Sequence, residues 1–287
     1  MGHGLERNVA ELMAVAQAFF DQPQEAKERI PRQDNYGFVP HVSTAIDTQR
    51  QSPNTEFLDL GLGDEVPWPD VPGFVATVRN YQRLALDVAR VLLAAMATGL
   101  GVADETFDDA LRDPQCRLRF LHYPPAVPGA DGSQAVPTAP HTDYGALTLL
   151  ATDGVPGLEV MSQGGDWTPV TAPVDALVVN LGDMLARWTN DVYRSTPHRV
   201  VGSASGDRIS IPYFVNPSPA TIVDCLPACV APDRPCQYEP VTAGDFLLSR
   251  IGGATEPYID AHADPEGDAA SVSGARRAPI ETGSGGP

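Results

Sequence analysis

Two short stretches carry residue types suited to metal and acid chemistry. His141 and Asp143 stand two positions apart in HTDYGALTLL, at the mouth of an apolar run. On a strand, residues i and i+2 point to one face, so this spacing aims an imidazole and a carboxylate at one point. Two ligands do not fix a metal, and a third has to come from His3, His41, His122, His198 or His262. His198 fits best, because STPHRVVG sets it at the entry of another strand-like run in the same region. Two histidines and one carboxylate leave positions open on one side of a metal, which suits Fe(II) and oxygen chemistry. Ten residues beyond His198, Arg208 and Ser210 in RISIPYF repeat the two-residue spacing. A guanidinium offers a planar fork to a carboxylate and the neighbouring hydroxyl adds a donor, so the pair reads as a carboxylate clamp.

The elements that must position these groups are legible in the pattern around them. From residue 115 the chain runs in short β-branched or alternating pieces punctuated by Gly, Pro and Asp: CRLRFLHYP, ALTLLAT, GLEVMS, DALVVNLG, HRVVG, RISIPYFVN and ATIVD. That texture predicts an all-β sandwich or barrel, interrupted by one or two helical turns at DMLARW within 182–191. Before it, residues 5–20 carry apolar side chains at helical spacing, 35–67 read as irregular chain with a strand or two, and a long helix follows Pro72 and ends near Gly99 and Gly101. The expected organisation is a helical N-terminal region over 1–114, a β core with a C-terminal helix over 115–259, and a disordered tail over 260–287, which is poor in apolar residues.

Composition excludes several classes. With 19 Lys+Arg against 37 Asp+Glu, the formal charge of −18 would repel a phosphate backbone, and no basic cluster offsets it. No apolar run is long enough to span a membrane and no signal-like opening is present, so the expectation is a cytoplasmic protein with neither nucleic acid nor membrane as partner. It is expected to be a monomer or weak homo-oligomer. Cys225, Cys229 and Cys236 lack a paired C-x-x-C spacing, and together with Cys116 they are expected to be reduced thiols.

H-T-D, then H-R-V, then R-x-S at these intervals resembles the isopenicillin N synthase-like family of iron(II)/2-oxoglutarate-dependent dioxygenases. RFLHYPP, VVNLGDMLARWTNDVYRSTPHRV and the long helix from PWPDVPGF onward match the family's words in order, and the likeness runs from about residue 2 to about 258. The resemblance implies a double-stranded β-helix, or jelly roll, mainly β with flanking helices. It implies Fe(II) held by His141, Asp143 and His198, 2-oxoglutarate held by Arg208 and Ser210, a contact from Tyr123, and O2 as oxidant. The reaction would couple decarboxylation of 2-oxoglutarate to succinate and CO2 with hydroxylation, desaturation or ring closure of a small molecule. Arg119, Tyr144 and Phe214 are candidates to line the substrate pocket. Two alternatives stay open: an oxidase that places a substrate carboxylate in the Arg208/Ser210 clamp, and a non-catalytic jelly-roll binding protein. The family's opening strand, helix and second strand have no counterpart before MGHGLERNVAEL. His3 is therefore expected to be the remnant of a structural turn, and a sheet edge is expected to be exposed.

Overall fold

Alternation along two adjacent strands shows how the molecule is layered. In β3 (Arg117–Tyr123), Leu118 and Phe120 are fully buried in the main core, whereas Arg117 and Arg119 lie on the opposite face. In β10 (Arg208–Val215), Ile209, Ile211, Tyr213 and Val215 join the same core, leaving Arg208, Ser210 and Phe214 to the other face. The period of two thus sorts each strand into a packing face and a chemical face.

A computed structural model provides the structure and describes residues 2–33, 35–40, 55–64, 66–125, 138–202 and 206–252. The tail expected over 260–287, as well as His41 and His262, lies outside these residues. The packing face of the main sheet is covered by α1 (Glu6–Phe20) and α3 (Phe74–Gly99). Val9, Leu12, Ala16 and Phe19 of α1 are all fully buried, as are Val78, Tyr81, Ala85 and Ala89 of α3, the stripe that three- and four-residue spacing demands. Gly73, at φ 76°, precedes α3 in a left-handed conformation that Gly adopts at little cost. Between the two helices come the one-turn α2 (Gln24–Lys27), β1 (Gly37–Val39) and β2 (Glu56–Leu60).

After β3 follow β4 (Thr138–His141), β5 (Leu147–Thr152), β6 (Leu158–Met161), β7 (Trp167–Pro169) and β8 (Leu177–Leu181). Then come α4 (Asp183–Trp188), β9 (His198–Val200), β10, the short pair β11 (Ile222–Val223) and β12 (Val241–Thr242), and α5 (Ala243–Gly252). Among the described residues the main sheet has the order β1-β2-β3-β10-β5-β8 and a smaller sheet the order β4-β9-β6-β7, every pairing antiparallel. This is the expected jelly roll with its helices on one side. Between the sheets Val39, Phe57, Leu121, Tyr123 and Val200 form a second apolar cluster.

One expectation is corrected. Cys225 and Cys236, read from the sequence as reduced thiols, are joined by a disulfide with Cα atoms 5.9 Å apart, while Cys116 and Cys229 are free and buried. The two partners lie eleven residues apart on either side of a short 3₁₀ turn. The chain reverses there and brings together two cysteines that no C-x-x-C pattern links.

Candidate active site

The three proposed ligands come from two strand ends and one loop. β4 and β9 pair antiparallel with His141 directly opposite His198, and the two imidazole centroids lie 4.2 Å apart. Their Nδ1 atoms are 2.9 Å from the Ala139 carbonyl and 3.1 Å from the Thr196 carbonyl. A carbonyl can only accept, so it holds the proton on Nδ1 and leaves each Nε2 as a lone-pair donor, as in metal-bound histidines. Both Nε2 atoms face Oδ1 of Asp143, at 3.9 Å and 3.8 Å. These gaps are too long for hydrogen bonds, yet within reach of two bonds of about 2.1 Å to one shared cation.

Asp143 itself is not on the strand. β4 ends at His141, so strand alternation does not place the carboxylate as the H-x-D spacing suggested; the loop into β5 does. α4 anchors that loop: its leading amides, Asp183 N–H and Met184 N–H, donate to the carbonyls of Asp143, at 2.8 Å, and of Tyr144 and Gly145, both at 3.2 Å. A helix start has free amides to give. Gly182 must stay small there, because a Cβ would run into the Gly145 carbonyl.

The buried Asp143 side chain divides its two oxygens. Oδ2 accepts from the Thr148 hydroxyl at 2.5 Å and the Asn180 amide at 2.6 Å, which orients Oδ1 toward the imidazoles. Thr148 and Asn180 sit opposite each other on β5 and β8. Burial opposes ionisation of Asp143, but the two imidazoles and these two donors outweigh it and hold the carboxyl below its ordinary range. Sequence reasoning missed this pair. Asn180 carried a signal, a lone amide inside the apolar run ALVVNLG.

The other predicted residues separate clearly. Arg208 and Ser210 share the inner face of β10, with Arg208 Nη1 donating to Ser210 Oγ at 3.2 Å and Nε to the Val155 carbonyl at 3.3 Å. Tyr123 pairs with Arg208 across β3 and β10, and the guanidinium lies over its ring at 5.1 Å from the centroid. Arg208 is 3% exposed and forms no ion pair among the described residues. His122 bonds Glu56 at 2.9 Å, away from the triad. His3 bonds the Asp175 carbonyl and takes the Leu5 amide, so it closes a turn as expected. Arg119, Tyr144 and Phe214 line a cavity of about 370 Å³ shared with His141, Asp143 and Arg117.

Comparison with known proteins decides the family. The 2OG-Fe(II) oxygenase superfamily model matches residues 112–217, which hold both histidines, Asp143, Arg208 and Ser210. A proline hydroxylase, buaE, of Petromyces alliaceus is 32% identical over 86% of this chain and 85% of its own length. This chain belongs to the 2OG-Fe(II) oxygenase superfamily. Its Fe(II) and 2-oxoglutarate dependence follows from that membership. The 2-oxoglutarate-Fe(II) type oxidoreductase hxnY of Emericella nidulans is 29% identical over 86% of this chain and 77% of its own length. A solved full-length Neurospora crassa protein, in complex with α-KG and 5-formyluracil, superposes with a TM-score of 0.76, at 30% identity over 86% of this chain and 82% of that one. The donor set found here, two Nε2 atoms and a carboxylate oxygen converging with their outer atoms already hydrogen-bonded, fits a divalent iron. A second grouping, Asp224 with Cys225 and Cys236, is closed to metal by the disulfide.

Proposed function

We propose that His141, Asp143 and His198 hold Fe(II), that Arg208 and Ser210 receive the distal carboxylate of 2-oxoglutarate with Tyr123 positioning the guanidinium, and that the enzyme oxidises a small molecule seated in the adjoining cavity. The observation that carries this reading is the division of labour at Asp143, whose Oδ2 is committed to Thr148 and Asn180 while Oδ1 faces two imidazole nitrogens. When bound, iron with the keto acid supplies the oxidising power for hydroxylation, desaturation or ring closure. The chain supplies orientation and shelter. The Ala139 and Thr196 carbonyls fix the imidazole tautomers, α4 fixes the ligand loop, and the buried Arg208 offers its positive charge where water is excluded. A buried cation with no acidic partner among the described residues is costly unless an anion joins it, and the five-carbon diacid brings one.

One relative is named for hydroxylating proline, and the Neurospora crassa protein is solved with 5-formyluracil and with thymine, which supports a small-molecule substrate here. We further propose a cytoplasmic protein, monomeric or weakly self-associating, without nucleic-acid or membrane partners. No described helix is long and apolar enough to cross a membrane. The test of the site is His141→Ala and Asp143→Ala, compared with wild type for Fe(II) binding and for succinate formed per O2 consumed. Both variants are expected to lose iron binding and turnover; retention of either property in both variants would remove these residues from the metal site.

A further inference from the structure

Arg117 has no use in the account above. It lines the same cavity as His141 and Asp143, its guanidinium lies 5.2 Å from the centroid of the Phe214 ring, and its Nε is buried without a hydrogen-bond partner. Among the described residues it forms no hydrogen bond or ion pair. The nearest buried acid, Asp59, is committed elsewhere: Arg119 holds it with two bonds of 2.7 Å and 2.8 Å, and Arg32 adds a third at 3.0 Å. Asp143 is the one carboxylate among the described lining residues, and it faces the imidazoles. Asp59 attracts the Arg117 guanidinium through space without a hydrogen bond or ion pair to it, so its donors in this partly dry cavity lack an anion in direct contact.

The sheet register limits which anion can reach it. Arg117 stands opposite Phe214, Phe214 opposite Thr148, and Thr148 opposite Asn180, so one rung of the main sheet carries Arg117 and both residues that orient Asp143. Strands are about 4.8 Å apart, which puts Arg117 roughly 10 Å across the sheet from Thr148, a span that a small substrate covers. Arg208, the co-substrate clamp, lies six residues along β10 from that rung, roughly 20 Å at about 3.3 Å per residue. The diacid that bridges Arg208 and the metal cannot also serve Arg117.

We propose that Arg117 is a substrate-binding residue that recognises a carboxylate on the small molecule oxidised at this site, with Phe214 supplying the apolar wall beside it. The assignment rests on the reading of the cavity as the substrate site. It makes the substrate a carboxylic acid whose reacting carbon lies a few bonds from the acid group.

Matched acid and primary amide pairs test it: benzoate and benzamide, phenylacetate and phenylacetamide, 4-phenylbutanoate and 4-phenylbutanamide. Each is titrated by calorimetry, without oxygen, into the full-length protein loaded with Fe(II) and 2-oxoglutarate. Wild type is expected to bind at least one acid about tenfold or more tightly than its amide. Arg117→Gln is expected to weaken that acid by about 10- to 100-fold, the worth of a charge-assisted hydrogen bond, while the amide and 2-oxoglutarate stay within about twofold. Arg117→Lys should keep part of the preference. Thermal unfolding of both variants checks their folding. Absence of acid preference in every pair, or a preference that survives Arg117→Gln, overturns the proposal. A separate 2-oxoglutarate titration of wild type isolates failure of the broader reading, which would show as no co-substrate binding whatever the acid pairs do.

Discussion

Replacing Arg208 by Met should push stability and binding in unlike directions. The guanidinium is 3% exposed, bonds only a neutral hydroxyl and a carbonyl among the described residues, and meets no acid there. Removing a buried cation that has no acidic partner there relieves its desolvation cost, and the Met side chain fills a similar volume. Losing its bonds to Ser210 and Val155, both donated by a charged group, costs about 1.5–3 kcal/mol each. These contributions oppose one another, so the metal-free Arg208→Met protein should unfold within about 5 °C of wild type. A fork of two charge-assisted hydrogen bonds to 2-oxoglutarate is worth about 1.5–3 kcal/mol per bond, or about 100- to 10,000-fold in affinity at roughly 1.4 kcal/mol per tenfold. Iron affinity should hold, since Arg208 touches no ligand. The assay is an oxygen-free titration with Fe(II), then 2-oxoglutarate, beside calorimetric unfolding of the metal-free protein. A 2-oxoglutarate affinity within about threefold of wild type, or a loss of more than about 10 °C in Tm, would refute the reasoning by showing that Arg208 serves the fold and not a ligand.

Three further outcomes follow from particular contacts. Gly182→Ala sets a methyl against the Gly145 carbonyl; it should cost about 1–3 kcal/mol and, by shifting the loop that carries Asp143, weaken Fe(II) binding, so an unchanged iron affinity in calorimetry contradicts the anchoring role of α4. Asp59 is buried, which opposes its ionisation, but Arg119, Arg117 and Arg32 outweigh burial and lower its pKa. Its stabilising contribution is therefore complete above the unfolded carboxyl value of about 3.9 and fades as pH falls through the lower folded value. Asp59→Asn should cost about 3–5 kcal/mol at pH 7, with the gap to wild type in urea midpoints narrowing as pH falls below the unfolded carboxyl value of about 3.9; a gap that does not narrow at all in acid speaks against the ion cluster. Reduction of Cys225–Cys236, which closes a loop of eleven residues, should remove about 2–3 kcal/mol, and an identical Tm with and without dithiothreitol contradicts the link.

What the sequence made legible depended on whether the causes were local. The strand runs, the long helix and the helical turns at DMLARW all appear where patterning put them, because apolar period is set residue by residue. His198 and Arg208 could be chosen from residue type and strand position. The placement of Asp143 could not, because it depends on a loop tied to a helix forty residues away through backbone carbonyls. Thr148 and Asn180 are ordinary strand residues until the register of β5 and β8 brings them to one carboxylate oxygen. Arg117 likewise carried no mark, since only the commitment of its neighbours' acids to other partners gives it meaning. The disulfide escaped because spacing and compartment say nothing of a chain reversal, and the reversal decides the distance between Cys225 and Cys236.

The central claim is that His141, Asp143 and His198 hold iron beside a 2-oxoglutarate clamp. It is tested most directly on wild-type protein without oxygen, by adding Fe(II) and then 2-oxoglutarate and watching for the weak visible charge-transfer band of the iron-keto acid chelate. The account predicts a band that saturates at one equivalent of iron and disappears in Asp143→Ala. Iron that binds without giving the band on saturating 2-oxoglutarate, or no iron binding at all, would contradict it.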